Sequence, residues 1–557
     1  MHSGSTIGFS IALCTAALAV PCIAHGGHHG GPDFQGVPNA NPKATGVAVP
    51  DVLTPELIQA IVAQGSNRLE DPTTNFPFYG YDGDGPMVPA PGAIQSKGNN
   101  VEATKTEPDK NTYLVLCGQH GFDPGYDYGT HFLFQGHELG IADPNTGLGM
   151  GYITRVNLDA DGAHRVTLMA SQDVNGNPIP VIDGSTFDPW ADRLLFTCES
   201  GTAGGVWQAT VDYPSTVVDL APIFGKGGYE GIQNDSDGNV WFVEDVGGAK
   251  GAVNKHAKQP NSFVYRFIPA DRTDLTKGGK VQALQVMSLA NPGQPIVFHA
   301  GQADADILSQ DVKDLHTYGL SFTTNWVTLH DTAVDGFNSF DANAVAKTLL
   351  ATPFKRPENG QFRPGSKFGQ FVFDETGDTD TGTEAGSAFG GFGAILKLTQ
   401  KKPSDSSGTL KLVFNGDVVR NSFDNCAFWD KNNIVFVEDA GDTLHGQRNG
   451  LDSAYLVDLE ADYADPSTEL PVRILAEGRD ASATLDSGYS AAGNGFQNEG
   501  DNEITGFHVS DGDASTGGIL GAKTPRPFEG GWRVFYTQQH GDNVTWEILE
   551  ADGKHGH

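Results

Sequence analysis

Two stretches of the chain read as copies of one another: DGNVWFVEDVGG at 237–248 and KNNIVFVEDAGD at 431–442. Each passes from an Asp/Asn/Gly turn through a short apolar run into paired acids and a glycine, which is how a β-strand bounded by turn residues is written. Weaker copies stand at 131–140 (HFLFQGHELG), 192–201 (DRLLFTCESG), 368–378 (FGQFVFDETGD) and 531–542 (GWRVFYTQQHGD). With Glu138, Glu199, Glu244, Glu375, Glu438 and Gln538 taken as equivalent, successive strand endings lie 61, 45, 131, 63 and 100 residues apart. A propeller blade needs about 40 to 50 residues, so these intervals read as blades carrying insertions. The expectation is an all-β chain, a six-bladed β-propeller over 111–550 with short helical insertions, the largest insertion falling in the interval that contains 250–340.

The repeats also carry an earlier acid. Glu230 precedes Glu244 by 14 residues, Asp424 precedes Glu438 by 14, and Glu358 precedes Glu375 by 17. In an antiparallel hairpin the start of the first strand and the end of the second are neighbours, so each hairpin presents two acids at one rim. Equivalent rims of a propeller face one end of its channel. Carboxylates gathered there repel one another and take up protons unless cations neutralise them. Oxygen-rich cages suit hard cations, Ca²⁺ first, with Mn²⁺ or Fe³⁺ when other ligands help. Asp, Asn and Glu beside Gly are also ordinary turn formers; repetition at one hairpin position is what singles these out.

Composition agrees with a folded, turn-rich, acidic protein. The 557 residues hold 35 Lys and Arg against 69 Asp and Glu, a formal charge of -34, with 72 Gly and 31 Pro and 38% hydrophobic residues. A nucleic-acid binder needs a basic face, which this balance excludes. A Pro/Gly-rich linker over 25–50 leads to an expected short helix from Thr54, with Pro55 at its first position and Leu57, Ile58, Ile61 and Val62 as an apolar stripe; 25–110 is read as linker and helix. A second helix is expected over 341–350. The apolar run from Ile7 to Ala24, ending in Pro-Cys-Ile-Ala, reads as a secretory signal over 1–24, although MHSGST carries no Lys or Arg. No later run approaches a membrane span, so the reading is a secreted or periplasmic, monomeric protein without membrane insertion. His-rich HGGHHGG near the start and KHGH in the tail at 551–557 read as solvated segments. Cys117, Cys198 and Cys426 are widely spaced and match no zinc motif.

At this point the residues resemble a known family, the secreted PhoX-type alkaline phosphatases. The carrying segments are FQGHELG, FDPWADRLLFTCES, GGYEGIQNDSDGNVWFVED, ATPFKRPENGQFRPGS, SFDNCAFWDKNNIVFVEDAGD, NEITGF and FYTQQHGD. The resemblance implies a six-bladed propeller whose channel mouth holds calcium and iron ions that hydrolyse phosphate esters. It implies metal ligation by Glu138, Glu230 and Glu358, and substrate-phosphate binding by Arg356, whose planar fork suits two parallel bonds to phosphate oxygens. Four places depart from the family pattern. Its iron-bridging Cys, seven residues before the Trp, is here Asp183, a hard oxygen donor in place of a thiolate. Asn-His-Glu has become Gly136-His137-Glu138, His-Glu has become Tyr229-Glu230, and Gly541 stands where Pro closes the motif. Cys198 is expected to be a buried small hydrophobe.

The candidate ligands are therefore Glu138, Asp183, Glu199, Glu230, Glu244, Glu358, Asp424 and Glu438, with Arg356 as the catalytic residue expected to hold the substrate phosphate, Ca²⁺ as the cofactor and Fe³⁺ as an alternative or second ion. The expected partner is a phosphorylated small molecule, hydrolysed as a monoester. Lys250, Lys255 and Lys258 form a basic cluster that either draws phosphate in or merely solvates a loop. Two alternatives stay open: a calcium-dependent propeller lactonase or esterase, and a calcium-stabilised binding protein without catalysis.

Overall fold

The computed structural model describes residues 32–39, 51–80, 106–138, 149–448, 450, 452–477, 503–539 and 543–551. The expected signal at 1–24, the His-rich segments and Gly541 lie outside the described residues. Nearly all of the regular structure is antiparallel strand in a propeller-like arrangement. Four blades stand as separate sheets. One is built on Pro108–Val115 and His131–His137, one on Ser185–Asp188 and Arg193–Cys198, one on Phe423–Phe428 and Asn433–Glu438, and one on Glu503–Ser510 and Arg533–Gln539.

The remaining strands differ from six independent blades. Tyr229–Asn234, Val240–Glu244, Val264–Pro269 and Gly279–Val286 form one four-stranded meander, and Gly360–Phe362, Gln370–Glu375, Ala394–Thr399 and Ser407–Asn415 form another. The long strand Phe322–Asp331 pairs with the outer strand of both, so the two meanders merge into a nine-stranded sheet. The extra strand belongs to the expected insertion, which thus fastens two meanders at their outer edges. It also carries short helices; Ala342–Thr348 falls where a helix is expected, with the Asp341 side chain accepting from Ala344 N at 2.9 Å.

The helix expected from Thr54 is a strand. Leu57–Ala63 pairs with Val544–Glu550 and completes the last blade from the other end of the chain, while Asp51–Leu53 adds to the neighbouring blade through Val472–Glu477. The β-branched residues Ile58, Ile61 and Val62 suit that pairing, and Ile58 and Ile61 are left exposed rather than forming a buried helical stripe. A partner almost five hundred residues away overrides the local pattern. The N-terminal segment is thereby part of the ring, and Tyr536 OH fastens it, lying 2.7 Å from Asp51 Oδ2 and 2.5 Å from Gln59 Oε1 and donating its one proton between them.

Three innermost strands share a device that aims side chains into the channel. Their pairing skips at Pro108/Asn111, Tyr229/Ile232 and Phe423/Cys426, so Asp109, Glu230 and Asp424 each sit in a β-bulge. A bulge bends its strand and re-aims the extra residue. Inner strands also approach closely. A Cβ on Gly184 would lie 2.2 Å from Glu230 O, and one on Gly231 would lie 2.8 Å from Asn359 Cα. Glycine is needed at both because no side chain fits. Around this channel the blades pack apolar faces together, as where the Trp241 ring meets Trp326, Phe362 and Phe371 at centroid separations of 5.0–5.1 Å.

Ring closure by the N-terminal strands makes a measurable prediction. Tyr536→Phe removes the shorter of two donors to a buried Asp51 oxygen, leaving Gln59 Nε2 at 3.4 Å, and should cost about 1 kcal/mol in denaturant unfolding. Removal of residues 1–63 should lower stability further by stripping an edge strand from the last blade. An unchanged unfolding midpoint in both proteins would show that the ring does not depend on this closure.

Candidate metal centre

The bulged strand starts and the strand ends meet at one end of the channel. A cavity of about 50 Å³ there is lined by Asp109, Glu138, Asp183, Glu199, Glu230, Asp245, Glu358, Asp424, Asp439 and Glu503, with Arg356 as the one base. It opens into a wider mouth of about 470 Å³ that adds Glu107, Lys258, Thr379 and Gln539. Three triads bring one oxygen from each carboxylate within 4.8 Å of the others: Glu138, Asp183 and Glu199; Glu199, Glu230 and Asp245; Glu230, Glu358 and Asp424. The triads share Glu199 and Glu230, so the acids form one chain of potential ligands.

Six of the expected ligands are in this cluster: Glu138, Asp183, Glu199, Glu230, Glu358 and Asp424. Arg356 lies among them as expected. Its Nε donates to Asp245 Oδ2 at 2.8 Å, Nη2 lies 2.7 Å from both Asp245 Oδ2 and Glu358 Oε1, and Asp439 is 3.8 Å away. Its backbone has φ +58°, a region sparsely populated by residues with a Cβ. Thr376 N donates to Arg356 O at 2.9 Å and holds that turn. Local strain maintained by surrounding bonds is common where a side chain must be held at a fixed angle.

Glu244 and Glu438 are not in the cluster, and these two ligand assignments are corrected. Glu244 is fully buried and accepts from Tyr265 OH and Asn343 Nδ2, each at 2.9 Å. Glu438 pairs with Arg448 through two bonds of 3.0 and 3.1 Å and accepts from Asn421 N. The third copy behaves alike: Glu375 is bonded to His316 Nε2 at 2.8 Å and Lys355 N at 2.7 Å. The reason is the two-residue period of a strand. Consecutive side chains point to opposite sides, so the second acid of each Glu-Asp pair, Asp245 or Asp439, faces the channel while the first faces the blade. Glu199 matches these second acids, since Cys198 ends its strand and is fully buried in an apolar cluster, as expected. Alternation along VWFVED and IVFVED was the signal for the correct register. Asp109 had no such signal, because its placement depends on a bulge, and Glu503 stands in the NEITGF segment without an acid pair to single it out.

Electrostatics in the cavity are strained. Burial, and then the charges of Glu138 and Asp424, push Asp109 well above the usual carboxylate range. Asp183 is raised by burial and then by Asp109, Glu138 and Glu199; Glu230 is raised by burial and then by Asp183 and Glu358. Burial and then Asp245 raise Glu199, and burial and then Asp439 raise Glu503. Burial and Asp439 push Asp424 up to about 7. In Glu358 burial outweighs the opposing effect of Arg356. The guanidinium, though burial disfavours its charge, is held well above its ordinary value by Asp245 and Glu358.

The donor set fits a hard cation. The Asp183, Glu199 and Glu230 carboxylates accept no side-chain or backbone hydrogen bond from the described residues, and Asp245 Oδ1 is buried without a partner. Buried acceptors ordinarily find donors, so several ligand oxygens converging without any are suited to bind a cation. Cys117, Cys198 and Cys426 are all free, and none joins the carboxylates.

No family model matches the chain, and no curated protein matches it. Among solved structures, Pseudomonas fluorescens PhoX in complex with vanadate, a transition-state analogue, superposes with a TM-score of 0.51 at 12% identity, covering 93% of this chain and 98% of that one. Periplasmic gluconolactonase PpgL of Pseudomonas aeruginosa (TM-score 0.30, 12% identity, 76% and 98% covered) and Sqt1 of Chaetomium thermophilum (0.30, 11%, 81% and 97%) also match. The fold of this chain is PhoX-like, and its buried acidic clusters can hold metal ions.

Proposed function

We propose that this chain is a secreted, metal-dependent phosphatase that hydrolyses phosphate monoesters at the carboxylate-lined channel mouth, on a six-bladed propeller in which two blades are joined by Phe322–Asp331. The observation that carries the reading is Arg356. It is the one base among the acids of the inner cavity, held on strained backbone beside Asp245 and Glu358. A neutral ester or lactone has no use for a fixed guanidinium there, whereas a phosphate oxygen can accept from the guanidinium N–H groups that Asp245 and Glu358 do not engage.

Glu138, Asp183, Glu199, Glu230, Asp245, Glu358 and Asp424 would hold the cations, with Ca²⁺ favoured by an all-oxygen set and Fe³⁺ as a second occupant. When bound, such ions neutralise phosphoryl oxygens and lower the pKa of a coordinated water. The chain's own contribution is placement. Asp245 and Glu358 hold the Arg356 guanidinium in one plane, so its remaining donors meet a phosphoryl group without reorganising. PhoX, solved with vanadate, supports the choice of that anion as a probe.

Turnover of p-nitrophenyl phosphate by Ca²⁺-loaded protein, inhibited by vanadate, tests the reading. Arg356→Ala should lower kcat/KM about 10²- to 10³-fold, the scale for losing a donor to developing charge. Asp245→Asn should weaken metal binding about 10-fold or more. Glu244→Gln should leave metal content and turnover as they are. Equal loss in Glu244→Gln and Asp245→Asn would overturn the channel register, and wild-type protein that binds calcium without any turnover would reject the phosphatase.

The raised carboxyls also set a pH dependence. Unfolded Asp and Glu release their protons near about 4, while the folded groups retain them higher, Asp424 to about 7. Between those values the native state binds more protons than the unfolded chain, so stability of the metal-free protein falls as pH rises. Thermal unfolding in EDTA should therefore show a midpoint that drops from about pH 4 through about pH 7. Free Ca²⁺ at about 100 times its Kd should restore about 2.7 kcal/mol per site, most fully above that window. A midpoint indifferent to Ca²⁺ at every pH would remove the metal site.

A further inference from the structure

The wider mouth holds a second cation, Lys258. Of the three clustered lysines it is the one that lines the mouth; Lys250 and Lys255 are exposed outside it. The Lys258 side chain has no hydrogen bond or ion pair to a described residue, in contrast with Arg356, which is tied to two acids. Burial, and then the nearby Arg356 charge, hold its ammonium below the ordinary lysine range.

The backbone that delivers Lys258 is pinned at every residue. Consecutive N–H groups from Ala252 to Lys258 all donate to carboxylates. Asp304 takes Ala252, Val253 and Asn254; Glu384 takes Lys255, His256 and Ala257; Asp378 takes Lys258, at 2.8–3.1 Å throughout. A Cβ on Gly251 would lie 2.0 Å from Asp304 Oδ1, so glycine is what lets that carboxylate reach the loop. Asp378 also receives Lys355 Nζ at 3.0 and 3.1 Å. One carboxylate therefore sets both the Lys258 backbone and the segment that carries Arg356. A mobile solvating loop has no need of this. It is the arrangement for holding one side chain at a fixed distance from another.

We infer that Lys258 is a second substrate-binding side chain, pairing with Arg356 to receive the two charges of a phosphate monoester dianion and so selecting it over a singly charged diester. This rests on the phosphatase reading for the chemistry but on Lys258 alone for anion binding. Lys is a compact point charge with three donors, suited to an oxygen that the planar Arg356 fork does not reach. The acids Glu107, Asp439 and Glu503 around the mouth repel any anion that does not engage both cations.

Calorimetric titration of inorganic phosphate into Ca²⁺-loaded full-length protein tests it without turnover. Lys258→Met should weaken phosphate binding about 10-fold or more, the scale for losing a charge-assisted bond, while Lys255→Met binds as wild type. Lys258→Arg should recover part of the affinity, and unfolding midpoint and calcium content should be those of wild type. In kinetics, Lys258→Met should raise KM for p-nitrophenyl phosphate by the same factor with little change in kcat, and leave kcat/KM for bis(p-nitrophenyl) phosphate within about 2-fold. Equal phosphate affinity in wild type and Lys258→Met overturns the inference, as does wild-type protein that binds no phosphate. Phosphate binding that depends on Lys258 without turnover of any ester upholds it and rejects the hydrolytic reading alone. Turnover with no dependence on Lys258 does the reverse.

Discussion

Repulsion among buried carboxylates is the constraint on which the rest of this chain depends. Ten acids and one guanidinium line a cavity of about 50 Å³. Two like charges 4 Å apart in a partly buried setting cost about 4 kcal/mol, and a folded domain has only about 5–15 kcal/mol in hand. The cluster must therefore hold protons or cations. Three bulges aim acids inward and two glycines let the inner strands close in, so the backbone increases the crowding instead of relieving it. A channel built that way is intelligible when a cation completes it. The formal charge of -34 then overstates what the folded protein presents, because protons or cations held by this cluster would cancel part of it.

The same strand endings serve two purposes one residue apart. Glu244, Glu375 and Glu438 turn away from the channel and anchor surrounding segments: Asn343 on a short helix, His316 and the Lys355 backbone, and Arg448 beyond the strand. Asp245 and Asp439 turn toward it. Paired acids thus hold the insertions to the blades and furnish the site in one motif. The anchoring reaches function through Lys355, whose neighbour Arg356 occupies strained backbone, and through Asp378, which joins that segment to the loop of Lys258.

Much of the site was legible because it is repeated. A single Asp beside Gly is a turn residue, but Glu230, Glu358 and Asp424 occupy the same place in successive hairpins, and all three meet in the channel. The error in Glu244 and Glu438 was one of register; counting two residues per strand repeat from the apolar positions selects Asp245 and Asp439 instead. The Thr54 helix failed for a different reason. Leu57, Ile58, Ile61 and Val62 satisfy a helical period and a strand equally well over so short a run, and the partner Val544–Glu550 that decides between them is remote.

The all-β character, the repeated hairpins and the convergence of acids at their ends are written in the chain, because turn residues, strand period and repetition are local properties. How the ring closes, how two meanders fuse through Phe322–Asp331, and which acid of each pair enters the channel became visible with the assembled fold. It also brought Asp109 into the cavity, gave Glu503 of NEITGF its place there, and separated Lys258 from Lys250 and Lys255 by setting it at the mouth. Those outcomes depend on strand partners, bulges and pinned loops contributed by distant segments, and a side chain's direction is settled only when both strands of its ladder are in place.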